Sequence, residues 1–575
     1  MKSNLAFADY AVFIIYFIVV SVYGYIIYRK RERNEHDAKA YFLAEGTLTW
    51  WAIGASLIAS NISAEQFIGM SGEGFFLGIA VAAYEWLAAI ALIIVAVWFI
   101  PVYLKNKIYT MPQFLKQRYN ESTALIMAVF WLFLYVFVNL TSILYLGAVA
   151  INGLAGGEYL HTIMIGLAVF ALIISLGGMK VVAYTDVIQV AVLIIGGLVT
   201  SYIALTTVGQ YFGFGQDAIA GFQVLMEKAP EHFKMIIPEP TQQVSASFTQ
   251  NDIDKYLTFP GLMSYAAGIW IINLNYWGCN QYITQRALGA DLQTARTGIL
   301  FAGFLKLLMP LIVMLPGIAA YVLYQNGHLP QLLEGKDAHA GISEIKDGAY
   351  SAMLTFLPTG IKGLSVAALT AAIVASLAGK VNSISTIYTL DVHKKYIQKN
   401  ASDNAQVNIG RYTVFAAMLL AVLFTWDDVL GIGGVGGFTY IQKYTGFISP
   451  GVFAMFFLGM FWKRTTGTAA IVGVISGFLL SVLFNEFAPA LFGNQTFLYT
   501  AYQTAKGTYE IPFHICMGLS FLFTMILMIA ISMFGPKVNP KAFELDTEMF
   551  KLKPQTTVMI IITLLVIAAL YVKFW

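Results

Sequence analysis

The 575-residue chain reads as an all-α polytopic membrane protein with fourteen transmembrane helices, and three observations lead there. Hydrophobic residues make up 58% of the chain and charged residues only 11%. A soluble surface is kept wet by roughly 25% charged residues, so lipid must replace water over much of this one. Fourteen stretches approach or exceed the about 20 apolar residues that cross the hydrocarbon core as a helix. Finally, Lys and Arg alternate from side to side between those stretches, as they do when cytoplasmic loops retain positive charge. With the N-terminus placed outside, the inner connections hold 22 basic residues and the outer ones eight. The other four, Lys306, Lys362, Lys380 and Lys443, lie in or against the apolar segments.

The segments run over 9–28, 50–71, 76–104, 122–152, 160–178, 182–207, 258–283, 297–324, 352–391, 410–427, 433–461, 466–486, 513–534 and 556–574. The first has no basic residues massed ahead of it and no A-x-A site behind it. It is followed by Arg29-Lys30-Arg31-Glu32-Arg33, so it reads as a retained helix and not as a signal peptide. Both termini are then expected on the outer face of a plasma (inner) membrane, in a single transmembrane domain over 1–575. The long outer connections 208–256 and 325–350 read as short surface helices.

Several function classes fall away. A formal net charge of +3 from 34 basic and 31 acidic residues is too small and dispersed for a nucleic-acid partner. Cys279 and Cys516 lie inside apolar stretches and the seven histidines are scattered, which offers neither a metal cluster nor an activated nucleophile. No enzyme chemistry and no cofactor are expected. No segment has the size of a cytosolic signalling module, and no protein partner is expected.

A spanning helix satisfies its own backbone, so polar residues within it mark function. The second segment carries Ser60-Asn61-Ile62-Ser63-Ala64-Glu65-Gln66 at mid-depth, and the seventh carries Asn273-Leu274-Asn275-Tyr276-Trp277-Gly278-Cys279-Asn280-Gln281. These two interruptions lie five segments apart, the placement that inverted repeats give to the broken helices of a transporter's central site. A break frees carbonyls for a hard cation, and amides and carboxylates suit hydroxyl groups. Glu85 after Tyr84, Lys306 and Gln442 add an acceptor, a donor and a mixed group from within apolar runs. With the flat rings of Tyr276 and Trp277, they suit a polyol better than an amino acid, and Glu85 disfavours an anion.

Longer strings carry a family likeness. Tyr41-Phe42-Leu43-Ala44, Trp50-Trp51-Ala52-Ile53-Gly54-Ala55-Ser56-Leu57-Ile58, Asn61 through Gly72 and Thr185-Asp186-Val187-Ile188-Gln189 resemble the sodium/solute symporter family in its bacterial sodium/galactose branch. The resemblance extends from residue 41 through the final helix. It implies a five-plus-five inverted-repeat core, with repeats over 50–207 and 258–461, the extra helix 9–28 before them and three helices over 466–574 after them. It also implies sodium-driven uptake of a hexose, galactose or glucose. Sugar contacts would come from Asn61, Gln66, Glu85, Asn273, Lys306 and Gln442, with Tyr276 stacking as the inner gate. Met70, Tyr84 and Phe438 would close the outer side.

For sodium, the resemblance implies the carbonyls of Ala59 and Ile62 together with Ala372, position 375 and Ser376. Here the chain departs from its relatives: Ala375 stands where they have a serine, and Lys380 where they have an apolar residue. Asp186 corresponds to the family's acidic residue on the ion exit path. Lys380, one turn inward of Ser376, is expected either to pair with it or to snorkel to the inner surface.

Overall fold

The computed structural model describes residues 5–29, 41–42, 48–155, 158–240, 248–333, 342–427 and 437–575. Most of the basic run after the first helix, Leu43 and Ala44 of the 41–44 string, and the first residues of the 433–461 segment lie outside them. Among the described residues eleven helices are long and apolar enough to cross a membrane, from Phe7–Arg29 to Pro554–Phe574, and Leu160–Ser175 and Ser449–Phe461 are shorter apolar helices. The chain divides into two units. The first comprises 1–78, 127–233 and 281–438, and the second 79–126, 234–280 and 439–575.

In the first unit the helices pack through missing side chains. Trp50–Asn61 lies against Leu292–Lys306, and Gly54 and Gly298 let the backbones close in. A Cβ on Gly298 would stand 2.8 Å from the Trp50 carbonyl oxygen, and one on Gly54 would stand 2.7 Å from that of Gly298. Small residues at such crossings are what lipid-embedded helices use, since lipid gives them no hydrophobic drive to associate. Met179–Tyr211 packs in the same way on Ile361–Thr386, where Gly196 meets Ala368 and the Thr200 and Ser365 hydroxyls bond at 2.6 Å. The first helix is tied to this pair: Asp9 Oδ1 accepts the N–H groups of Gly360 at 2.7 Å and Gly363 at 2.8 Å.

The expected single segment 297–324 is two helices, Leu292–Lys306 and Met309–Gln325. Pro310 has no N–H to give the Lys306 carbonyl four residues back, so the helix bends there. The helical run Glu65–Lys105 spans 41 residues, about twice the length of one crossing. It is interrupted at Gly78, whose φ of 79° only a glycine adopts freely. The connections 208–256 and 325–350 do contain short helices, including Ala218–Lys228 and Pro230–Phe233. Their Val224, Leu225 and Ala229 join Leu329, Leu332 and Ile345 in one apolar cluster.

In the second unit Ala83–Ile94 packs on Ile269–Cys279, which packs on Ser449–Phe461. The last of these is closed by buried Arg118, which donates to the carbonyls of Gly459, Trp462 and Thr465 at 2.5, 3.0 and 3.0 Å. That is how a cation satisfies the open end of a helix. A small antiparallel hairpin, Tyr502–Gln503 with Tyr509–Glu510, lies in the connection before Phe513–Met533; the apolar pattern gives no sign of it.

Gly298→Val should overpack the crossing with Trp50–Asn61, at a cost of about 1–3 kcal/mol. A melting curve of the detergent-purified protein, followed by size-exclusion fluorescence, checks this: a midpoint equal to wild type would refute the packing.

Candidate ion and solute site

The first break is built by one side chain. Helix Trp50–Asn61 ends at Ile62, which turns to an extended conformation while its N–H still bonds the Ile58 carbonyl at 2.9 Å. The next N–H, that of Ser63, would bond Ala59 in a continuing helix but donates to Gln66 Oε1 at 2.9 Å. The Gln66 N–H would bond Ile62 but reaches the Ser63 carbonyl at 3.1 Å. The carbonyls of Ala59 and Ile62, the two that the resemblance assigns to sodium, thus both lose their helical donors. The helix resumes as a wide turn over Glu65–Met70.

Facing this break is the helix Ile361–Thr386. Ala372, Ala375 and Ser376 are fully buried in it, and Ser376 Oγ donates to the Ser60 carbonyl at 3.1 Å. Oxygen ligands around a freed backbone suit a small hard cation. Ala375 contributes no side-chain oxygen to that set.

The expected pairing of Lys380 with Asp186 is not made. Asp186, wholly buried, is taken by Arg286: Arg286 Nη2 lies 3.8 Å from Asp186 Oδ2. Ser56 joins them, accepting from Arg286 Nε at 2.7 Å and donating to Asp186 Oδ2 at 2.5 Å. Arg286 also donates to the Ser60 hydroxyl and the Tyr282 carbonyl. Nor does Lys380 snorkel to a surface, being only 4% exposed. Its Nζ donates to Ser376 Oγ at 3.0 Å, lies 4.8 Å from the centre of the Tyr282 ring and interacts with the Glu65 carboxylate. The misreading has a simple cause. Arg286 counts as a loop residue by hydropathy, yet it sits on the buried helix Gln281–Leu288, beyond the second break.

Of the expected sugar contacts, the first unit brings Lys306 and Asn61 together: Lys306, 1% exposed, donates to Asn61 Oδ1. Gln66 lies one turn on, its carbonyl oxygen engaged in the break. Met70 is buried. Its neighbour Gly69 presses so closely on buried Phe438 that a Cβ there would stand 2.8 Å from the Phe438 nitrogen.

The second unit holds the remaining contacts. Tyr84 and Glu85 are buried at the start of Ala83–Ile94, and Tyr84 Oη bonds His514 Nε2 at 2.8 Å. Asn273 is buried on Ile269–Cys279 and donates to the Ile269 carbonyl at 3.0 Å. Tyr276, half-buried on the same helix, meets Trp277 edge to face at 5.1 Å. Gln442, also half-buried, lies on Gly437–Gly446.

The second break falls at Asn280, at the end of the polar string, where the chain turns extended between Ile269–Cys279 and Gln281–Leu288. Two tyrosines bond parts of the freed backbone. In the second unit Tyr103 Oη donates to the Gly278 carbonyl at 2.7 Å, and in the first Tyr135 Oη accepts the Gln281 N–H at 3.2 Å. Sequence reasoning missed both of these, along with Arg286, Ser56, Glu65 and His514. The four-residue spacing of Ser56 and Ser60 on one helical face was the available signal for an internal cation partner.

Residues 41–477 match the sodium:solute symporter family. A sodium/glucose cotransporter of Vibrio parahaemolyticus is 41% identical over 100% of this chain and 99% of its own. A sodium/myo-inositol cotransporter 2 of Mus musculus is 33% identical over 84% of this chain and 70% of its own. Among solved structures, a Na+-coupled sialic acid symporter in a substrate-bound outward-open state superposes with a TM-score of 0.74. It is 20% identical, and the match covers 93% of this chain and 99% of that one, so the two share a fold. The chain belongs to the sodium:solute symporter family. It is a multi-pass membrane transporter and not an enzyme.

Asp186→Asn should leave Arg286 without its counter-charge and destabilise the protein by about 3–5 kcal/mol. Asp186→Asn with Arg286→Gln should recover most of the loss. Thermal melts of the three forms check this, and a single variant as stable as wild type would deny the pair its role.

Proposed function

We propose that this protein takes up a hexose, galactose or glucose, driven by the inward sodium gradient through alternating access. The observation that carries the reading is the first break, where the donors for Ala59 and Ile62 are diverted and Lys306 is held on Asn61 in the adjoining turn. Full-length likeness to a sodium/glucose cotransporter supports the choice of cargo. The proposed architecture is fourteen helices, both termini outward, with inverted repeats over 50–207 and 258–461.

In this reading the candidates for the sugar hydroxyls are Asn61, Gln66 and Lys306 in the first unit and Tyr84, Glu85, Asn273 and Gln442 in the second, with Tyr276 the candidate for stacking on the ring and gating the inner path. Met70, Tyr84 and Phe438 close the outer side. Sodium binds at the carbonyls of Ala59 and Ile62 with Ala372 and Ser376, and leaves past Asp186 and Lys380. The ion acts by favouring the outward-open state that accepts sugar, so coupling is a difference in affinity between two states. The likeness to a sodium/myo-inositol cotransporter supports a second cargo, a cyclic polyol presenting the same ring of hydroxyls.

Proteoliposomes loaded without sodium and given labelled galactose, glucose or myo-inositol test this. A sodium gradient should raise uptake of one hexose at least tenfold, and Lys306→Ala and Gln442→Ala should each remove most of that gain in folded protein. Uptake of none of the three, or undiminished uptake by both variants, would overturn the proposal.

A further inference from the structure

The chain carries its own cation beside the proposed ion site. Lys380 Nζ donates to Ser376 Oγ at 3.0 Å, and that hydroxyl's proton is already committed to the Ser60 carbonyl at 3.1 Å. A sodium ion using Ser376 would therefore meet an ammonium sharing the same oxygen, only a few ångströms away. Two like charges at that separation in a poorly hydrated interior repel strongly. Neither can escape to water, because Lys380 is 4% exposed and Ser376 fully buried.

The charges around the ammonium are unequal. Arg286, which already holds Asp186, adds repulsion, whereas the Glu65 carboxylate attracts it. Glu65 opens the wide turn just past the break, and its own N–H is bonded to Ser63 Oγ at 3.3 Å, which fixes its backbone. The lysine stem is long, and the Tyr282 face supports its ammonium at 4.8 Å. One anion is thus available as a second berth.

We propose that Lys380 is a tethered competitor of the coupling ion: its ammonium occupies Ser376 when the site is empty, and sodium binds by displacing it toward Glu65. Ala375 strengthens the competitor, since it offers sodium no side-chain oxygen. Lys380 is then a positioning residue that sets how much sodium the transporter needs. The inference rests on the proposed ion site and is independent of which sugar is carried.

The test is sodium titration of the purified full-length protein without sugar, with choline keeping ionic strength constant. It is read by thermal stabilisation and by binding of radioactive sodium. Lys380→Met, with Lys380→Gln as a second form should Met impair folding, should lower the half-saturating sodium concentration at least tenfold. Glu65→Gln, which removes the second berth, should raise it severalfold. If wild type shows no response over the accessible range, the lysine variants should gain one. Titrations that superimpose for wild type and both lysine variants, or a sodium response lost in folded lysine variants, would overturn the proposal. A wrong cargo would silence uptake and leave these titrations intact.

Discussion

A peptide group that leaves helical register inside hydrocarbon must find another partner, because no water is at hand. This constraint organises the protein. At the first break the Gln66 side chain takes the donor that the Ala59 carbonyl would otherwise have, and the Ser63 carbonyl takes the one that Ile62 would have. At the second break two tyrosine hydroxyls, Tyr103 and Tyr135, bond the Gly278 carbonyl and the Gln281 N–H. The diverted donors at the first break are why the proposed ion site is placed there.

The same constraint governs the buried charges. Asp186 and Arg286 are joined through Ser56, so the guanidinium, hydroxyl and carboxylate form one chain of donors and acceptors. Charge is balanced locally and not by proximity to a surface. In such an interior a lysine cannot be added without an anion to accompany it, and the Glu65 carboxylate attracts Lys380 without a direct ion pair.

Much of this was legible in the sequence. Hydropathy located most of the apolar helices because lipid demands long apolar runs, and the polar strings Ser60 to Gln66 and Asn273 to Gln281 flagged the segments that break because polar residues are costly at that depth, although the second break comes only at the end of its string. The partners of the charges were not legible. Asp186 and Arg286 are 100 positions apart, and no local pattern tells whether Arg286 or Lys380 will meet the carboxylate. A short amphipathic helix following a break also looks like a loop by hydropathy, which hid Arg286. The bend at Lys306 could have been read, since Pro310 lies four residues on, but a proline inside an apolar run does not by itself say that the residue before the bend will reach Asn61.

The first helix, which lies ahead of both proposed repeats, has a consequence of its own. Its Asp9 accepts two N–H groups at the start of Ile361–Thr386, and Gly363 is pressed against the Asp9 backbone. A carboxylate at that end meets the positive pole of the helix that carries Ser376 and Lys380. The leading span is therefore moored to the helix that carries Ser376, and in the proposed transport cycle the two would swing as a single lever.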